Sequence, residues 1–227
     1  MAEHAVIPDR AGQAPWAAFH RAVSVHAPCV DELVNAMCPC AGKRVLDIGC
    51  GTGRNLAPLM AQSMRVTGVD IDEQALAEAR QRDGCAGAEI RAMSMTRLEF
   101  PSAVFDAAIA VSVLNHGLAA EVDAAFDEVQ RVLVAGGWFL VTMISTAHPT
   151  YGKGEELEPG VFAPWDGPDA GVPHRFFTVE GFGEYLVARG FQVAALKPAG
   201  REEIRGINDG HILALARIPA RAWSEGD

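Results

Sequence analysis

The chain predicts an α/β fold: a doubly wound, seven-stranded, mostly parallel sheet with N-terminal helices and a lid insertion. Three observations predict it. Short apolar runs suited to buried strands alternate with helix-period segments through most of the chain. Val45-Leu46-Asp47-Ile48 runs straight into Gly49-Cys50-Gly51-Thr52-Gly53, a turn with almost no side-chain bulk. Asp70 closes the next apolar run about 20 residues later, where a doubly wound nucleotide fold places an acid on ribose hydroxyls.

Element by element, residues 1–15 show no periodicity and read as a tail. Trp16 to Ala27, with Trp16, Phe19, His20 and Val23 on roughly one face, predicts a helix ending near Pro28, and Val30 to Met37 a second. Residues 16–40 form this helical cap. After the first strand and its glycine turn, Asn55 to Gln62 reads as a helix capped by Asn55, with Pro58 in its first turn. Arg65 to Asp70 is the second strand, Asp72 caps a helix that stops at Gly84, and Ala88 to Ala92 is the third strand. Phe105 to Val111 is the fourth, a continuous apolar run of the kind a covered parallel sheet buries. Glu121 to Val134 carries Val122, Phe126, Val129 and Leu133 at helical spacing, with Gly136-Gly137 closing it before a fifth strand at Trp138 to Ile144. Residues 145–177 lose periodicity and read as a lid or substrate insertion. Thr178 caps a helix to Arg189, and Phe191 to Leu196 with His211 to Ile218 complete the sheet. The expectation is one domain over 16–220, with a second tail at 221–227.

Composition narrows the partners. A chain of 227 residues suffices for one well-buried domain and is short for two. A formal net charge of −10, with no block of Lys and Arg, repels phosphate backbones, so no nucleic acid is expected and the substrate reads as a small molecule. Five cysteines without a basic, apolar leader predict free thiols in the cytoplasm. Cys38-Pro39-Cys40 is too short a spacing for the usual zinc pairs, so no metal is expected. Val132 to Gly152 carries no formal charge, yet its Gly136-Gly137, His148 and Pro149 mark helix end, turn and strand, not a membrane span. Aromatic residues of the first helix leave monomer or homodimer open.

A dinucleotide fingerprint would be G-x-G-x-x-G, but Arg54 stands where its last glycine belongs. The G-x-G-x-G form, entered through Leu46-Asp47-Ile48, resembles motif I of the class I S-adenosylmethionine-dependent methyltransferases. Gly68-Val69-Asp70-Ile71-Asp72 is similar to their ribose-binding stretch. Arg91 to Pro101, Phe105 to Ile109 with Val111 to His116, and Arg131 to Gly137 resemble the type 11 group, so the match covers about residues 40–145. The resemblance implies S-adenosyl-L-methionine as cofactor and S-adenosyl-L-homocysteine as product. It implies a cofactor site of Asp47, Gly49, Cys50, Gly51, Gly53, Asn55, Asp70, Ile71, Ser94, Met95, Val111 and His116. Within it Asp47 orders the amino-acid end, Asp70 binds the ribose and Ile71 packs on adenine. Ser94 departs from the pattern, standing where many relatives hold the adenine amino group with Asp. Losing that charge weakens the contact by about 1 kcal/mol, and Met95 compensates by lying on the adenine face.

Methyl transfer from a sulfonium is an in-line displacement that needs alignment more than an electrophile. Asn115, His116 and His148 follow the fourth and fifth strands and are the candidates for positioning or base work. Trp16, Phe19, His20, Tyr151, Trp165, His174 and Phe177 are the candidate substrate residues. The fourth strand ends Ala110-Val111-Ser112-Val113, without the Asn/Asp-Pro-Pro-aromatic signature of resembling amino-methylating enzymes. The acceptor atom stays open among oxygen, nitrogen, carbon and a chalcogen or metalloid. A non-catalytic module binding S-adenosylmethionine or S-adenosylhomocysteine is the alternative. A nicotinamide-dependent oxidoreductase is disfavoured by Arg54.

Overall fold

The computed structural model describes residues 26–167, 169–204 and 209–220. The predicted first helix lies outside them but for its last two residues, as do Trp16, Phe19 and His20 and both tails. In chain order the elements are α1 (Val30–Met37), β1 (Arg44–Ile48), α2 (Leu56–Ala61), β2 (Arg65–Asp70), α3 (Glu73–Gln81), β3 (Glu89–Ala92), β4 (Phe105–Ala110) and α4 (Ala119–Val132). There follow β5 (Leu133–Ile144), β6 (Glu155–Glu158), β7 (Val161–Ala163), β8 (His174–Arg175), α5 (Val179–Ala188), β9 (Gln192–Ala199) and β10 (His211–Arg217).

The main sheet has seven strands in the order β3-β2-β1-β4-β5-β10-β9. β3, β2, β1, β4 and β5 run parallel, and β10 is antiparallel to both β5 and β9. The winding reverses between β1 and β4, so the crevice at their carboxyl ends is where such a sheet takes a ligand. Alternation along the strands sorts the core into two layers. Phe139, Val141 and Met143 of β5 face α4 and α5 with Phe126, Phe182 and Leu186. Leu140 faces the other way, with Leu33, Leu56, Leu59 and Leu76 of the first three helices.

The local signals act largely as the sequence predicts. Asp72 Oδ1 accepts from the amides of Gln74 and Ala75 and starts α3. Thr178 Oγ1 accepts from Gly181 N and starts α5. Two expectations are corrected. Asn55 precedes α2 without capping it; its Oδ1 accepts from Ala27 N, 28 residues upstream, at 3.1 Å. A tertiary donor outcompetes the local one.

α4 ends at Val132, and Gly136-Gly137 lie inside β5 instead of closing the helix. Leu133 is extended and pairs with Phe105, while the next paired residues are Trp138 and Ala107, so four residues bulge between them. Gly136 supplies φ +76°, and a side chain on Gly137 would stand 2.8 Å from the Val134 carbonyl oxygen.

The stretch 145–177, read from sequence as a lid or substrate insertion, contains the antiparallel sheet β6-β7-β8. Its return segment is strapped across the ends of β4 and β5. Arg175 N donates to Asn115 O (2.8 Å), Gly117 N to Pro173 O (2.8 Å), Phe177 N to Ile144 O (3.2 Å) and Thr146 N to Phe177 O (2.9 Å). Outside the sheet, Arg175 reaches Asp123 Oδ1 of α4 at 2.6 Å. Among the described residues no helix is long and apolar enough to cross a membrane.

Phe126 is wholly buried and meets the rings of Phe139, Phe182, Tyr185 and Phe191. Phe126→Ala is expected to lower the unfolding free energy by about 3–5 kcal/mol, read as a fall in the urea midpoint. A loss within about 0.5 kcal/mol would mean that α4 does not hold this core layer.

Candidate functional site

The turn after β1 is built from positive-φ residues: Gly49 at +70°, Gly51 at +50° and Gly53 at +80°. L side chains rarely adopt these angles. Packing adds a second requirement. A side chain on Gly49 would meet Val113 Cγ2 at 2.1 Å, and one on Gly53 would meet Ala79 at 3.2 Å. Gly49 N and Cys50 N both donate to Val69 O of β2, at 2.7 and 3.0 Å. Cys50 is buried, and its sulfur lies where a side chain on Gly68 would stand.

Asp70 fixes this turn from the neighbouring strand. Its Oδ2 accepts from Gly51 N at 2.8 Å and its Oδ1 from Asp72 N at 2.9 Å. A carboxylate has about four acceptor positions, so two remain for other donors. Ile71 beside it is 65% exposed, an apolar side chain left uncovered at the mouth of the crevice.

Asp47, on β1, is 1% exposed, and neither carboxylate oxygen has a hydrogen-bond partner among the described residues. Burial pushes its carboxyl up to about 8; the Arg54 guanidinium works against that shift and Asp70 with it. Arg54 is itself buried and drawn below its usual range by desolvation. An acid held in this state is poised for a donor or a cation from a ligand.

At the end of β4, Val111 is buried and Ser112 takes φ +61°, a conformation seldom adopted outside glycine. Ser112 N donates to Thr142 Oγ1 at 2.8 Å, while Ser112 Oγ has no hydrogen-bond partner among the described residues. Asn115 is 3% exposed, and its Oδ1 is also without one. His116 Nδ1 lies 2.9 Å from Val113 O; a carbonyl only accepts, so Nδ1 carries the proton. Burial, then the neighbouring His174, pulls the His116 ring down to about 3, so it is neutral at pH 7.

Four histidines converge under the strap. The rings of His116 and His174 meet edge to face at 4.7 Å, and those of His148 and His211 at 5.1 Å. His148 Nδ1 lies 2.7 Å from Thr150 Oγ1, a hydroxyl able to donate, and accepts from Thr150 N at 3.2 Å; the amide can only donate, which places the ring proton on Nε2. Burial holds His148 below its ordinary value, with His174 acting the same way. His174 Nε2 lies 3.1 Å from Asp169 Oδ2. Among the described residues no three His, Cys, Asp or Glu side chains are grouped to hold a metal ion.

Other predicted residues sit apart from this cluster. Ser94 Oγ accepts from Thr96 N and bonds Thr96 Oγ1, so its hydroxyl is engaged in a local turn. Met95 packs on the core layer that holds α4. Tyr151 stacks edgewise on Phe162 and Phe176. Trp165 is 79% exposed, and Phe177 turns toward Phe182 and Tyr185 in the core. Arg54, Ser112, Asp169 and His211 escaped the sequence reading. Arg54 alone had a local signal, a cation directly after the glycine turn; the others gain meaning only from contacts across the strap and the sheet.

The state of Asp47 has a thermodynamic signature. Unfolded, its carboxyl ionises near its ordinary 3.8; folded, it keeps its proton to about 8. Between those values the folded chain binds more protons at this carboxyl, so its contribution to stability falls as pH rises from about 4 to about 8 and levels above, while His116 acts with the opposite sign between about 3 and its ordinary 6.5. Asp123, Glu128 and Asp169, held below the usual carboxylate range, act with the opposite sign at lower pH. Asp47→Asn, which cannot ionise, is expected to flatten the decline, measured by urea unfolding of the unliganded protein at pH 5 and pH 8. Equal slopes in the two proteins would refute the buried, protonated acid.

Comparison with known proteins meets this geometry. Residues 46–141 match the model of a methyltransferase domain. The chain is 37% identical over 113 residues to a fatty-acid O-methyltransferase of Mycolicibacterium smegmatis, covering 48% of this chain and 39% of that protein. It is 37% identical over 110 residues to an S-adenosyl-L-methionine-dependent Diels-Alderase of Talaromyces variabilis, covering 46% and 37%. The chain thus spans well under half of these relatives' length. A structure of the 1,6-didemethyltoxoflavin-N1-methyltransferase of Burkholderia thailandensis, with bound 1,6-didemethyltoxoflavin and S-adenosylhomocysteine, superposes with a TM-score of 0.65 at 24% identity, covering 89% of this chain and 79% of that one. A matched domain model, a reversal of strand order at the glycine turn and the acid on β2 agree: residues 46–141 carry a methyltransferase domain, similar to the class I S-adenosylmethionine-dependent type 11 group.

Proposed function

We propose that this protein transfers a methyl group from S-adenosylmethionine to a small-molecule acceptor by in-line displacement, without a metal. The observation that carries the reading is the pairing of Asp70, which pins the glycine turn, with Asp47, a buried acid near Arg54 whose oxygens have no hydrogen-bond partner among the described residues. These residues fit the cofactor. Asp70 keeps acceptor positions for ribose hydroxyls, exposed Ile71 suits adenine, and Asp47 suits the ammonium of the amino-acid end. Bound, the cofactor supplies an electrophilic methyl on a sulfonium whose charge disappears on transfer, so no Lewis acid is required.

The chain's own residues then align the acceptor. Asn115 Oδ1 and Ser112 Oγ are buried polar atoms awaiting partners, and each costs about 1–3 kcal/mol while unmade. His116 is neutral with its proton on Nδ1, and burial with the neighbouring His174 lowers the basicity of its other nitrogen, so it positions more readily than it takes a proton. His148 presents Nε2–H and so acts as a donor. The strap over residues 145–177 serves as the lid of a single domain, and its hydrogen bonds to the loops after β4 and β5 favour an acceptor small enough to fit beneath it. The net charge of −10 argues against nucleic acid. Free thiols at Cys29, Cys38, Cys40, Cys50 and Cys85 support a cytoplasmic protein, acting as monomer or homodimer.

The second reading is a module that binds S-adenosylmethionine without methyl transfer. It is favoured by a relative bearing the name of a Diels-Alderase and by the lack of a poised base at His116 and His148.

Calorimetry should show binding of S-adenosylmethionine and S-adenosylhomocysteine but not NAD. Asp70→Ala should weaken that binding at least about tenfold, and Gly51→Val should abolish it, both variants remaining folded by circular dichroism. Undiminished binding in both removes the cofactor reading. Tight binding with no methyl release across a panel of small acceptors supports the second reading.

A further inference from the structure

We propose that Asp169 and His174 form a fixed ion pair whose cationic end faces the acceptor site, and that the acceptor is an oxyacid bound as its anion: a carboxylate, phenolate or enolate. The acceptor class rests on the methyltransferase reading; the ion pair does not.

Hydrogen-bond accounting gives the pair. His174 Nδ1 lies 2.8 Å from Val172 O, and Nε2 lies 3.1 Å from Asp169 Oδ2. A carbonyl and an ionised carboxylate can only accept, so both ring nitrogens must carry hydrogens. Flipping the ring would set carbon against both acceptors. Asp169 is held ionised, below the usual carboxylate range, first by its hydrogen bond from His174.

Burial gives the direction. The His174 side chain is 5% exposed and that of Asp169 is 35%, so the carboxylate lies toward solvent and the ring toward His116. Every packed element contributes to the surroundings. His116 follows β4, His148 follows β5, and His211 stands on β10. Arg175, next along β8, turns outward to Asp123 and Tyr185. The charge of His174 helps to hold both His116 and His148 neutral, while Asp169 opposes it at each. The interior therefore offers a buried cation and the Nε2–H of His148. An amine bound as its cation meets like charge there; an anionic oxygen meets attraction and a donor.

The chemistry closes without a base. The acid binds as its anion, its proton already released to water. An oxygen lone pair forms the new C–O bond as the C–S bond breaks and its electron pair goes to sulfur. The products are a neutral ester or ether and a neutral thioether, and the lost charge weakens the product's hold.

Ring-nitrogen NMR of ¹⁵N-histidine-labelled protein saturated with S-adenosylhomocysteine tests this at pH 7. Both nitrogens of His174 should be protonated, and Asp169→Asn should remove one proton while Asp169→Glu retains both. Straight-chain and benzoic acids, phenols and enols should bind and shift the His148 Nε2–H signal; matched amines should not. Asp169→Asn should weaken acid binding about tenfold, with Asp169→Glu restoring it. A single ring proton on wild-type His174, amines binding better than acids, no binding by either series, or unchanged acid binding in Asp169→Asn would overturn the proposal. Failure to bind S-adenosylhomocysteine, with both ring protons present, would sink the methyltransferase reading and leave the pair.

Discussion

The carboxylate of Asp70 is the constraint on which the site depends. It ends β2, yet its hydrogen bonds go to the turn after β1 and to the residue that starts α3. The same strand supplies Val69 O, which takes both Gly49 N and Cys50 N. The glycine turn is thus held from the neighbouring strand, and the parallel register Asp47 to Gly68, Ile48 to Val69 sets its position. Val113 fills the space left by the absent Gly49 side chain and ties the loop after β4 to the same point. The geometry of the glycine turn and the sheet register are therefore one constraint.

The polar groups divide by purpose. Those that hold elements together are fully engaged. Arg131 bonds Glu128 and the carbonyls of Leu98 and Phe100, and Asp123 takes Arg175, Arg189 and Tyr185. The buried side-chain atoms without partners among the described residues belong to Asp47, Ser112, Asn115 and Arg217. The first three stand at the carboxyl ends of β1 and β4. Arg217 lies at the far end of the sheet, its guanidinium over the Trp138 ring. Native interiors seldom leave such atoms unmet, and their concentration at the crevice is the mark of a site built for a ligand.

Much of the frame was legible because its signals are local. Continuous apolar runs announced β4 and the heart of β5, and Asp72 and Thr178 announced the helices that they cap. Asp70 was readable because spacing alone puts an acid at that strand end. Other features depend on partners distant in sequence. Asn55 looks like a cap until Ala27 N competes for it. Gly136-Gly137 look like a helix stop until Leu133 finds Phe105. The small sheet β6-β7-β8 has strands of two to four residues, too short to show alternation. Under the strap, His116, His148 and His174 stood out as residue types, but Asp169 and His211 became visible only when the strap closed over them.

β8 is only two residues long, His174 pointing in and Arg175 pointing out, because successive side chains on a strand alternate. Misregistration of this short ribbon by one position would thread a guanidinium into the crevice and present an imidazole to α4, exchanging the two chemistries at once. The clamp of Arg175 on Asp123, with the rings of Phe177 and Tyr185 against its guanidinium, thus acts as a proofreading peg that admits one threading of the ribbon.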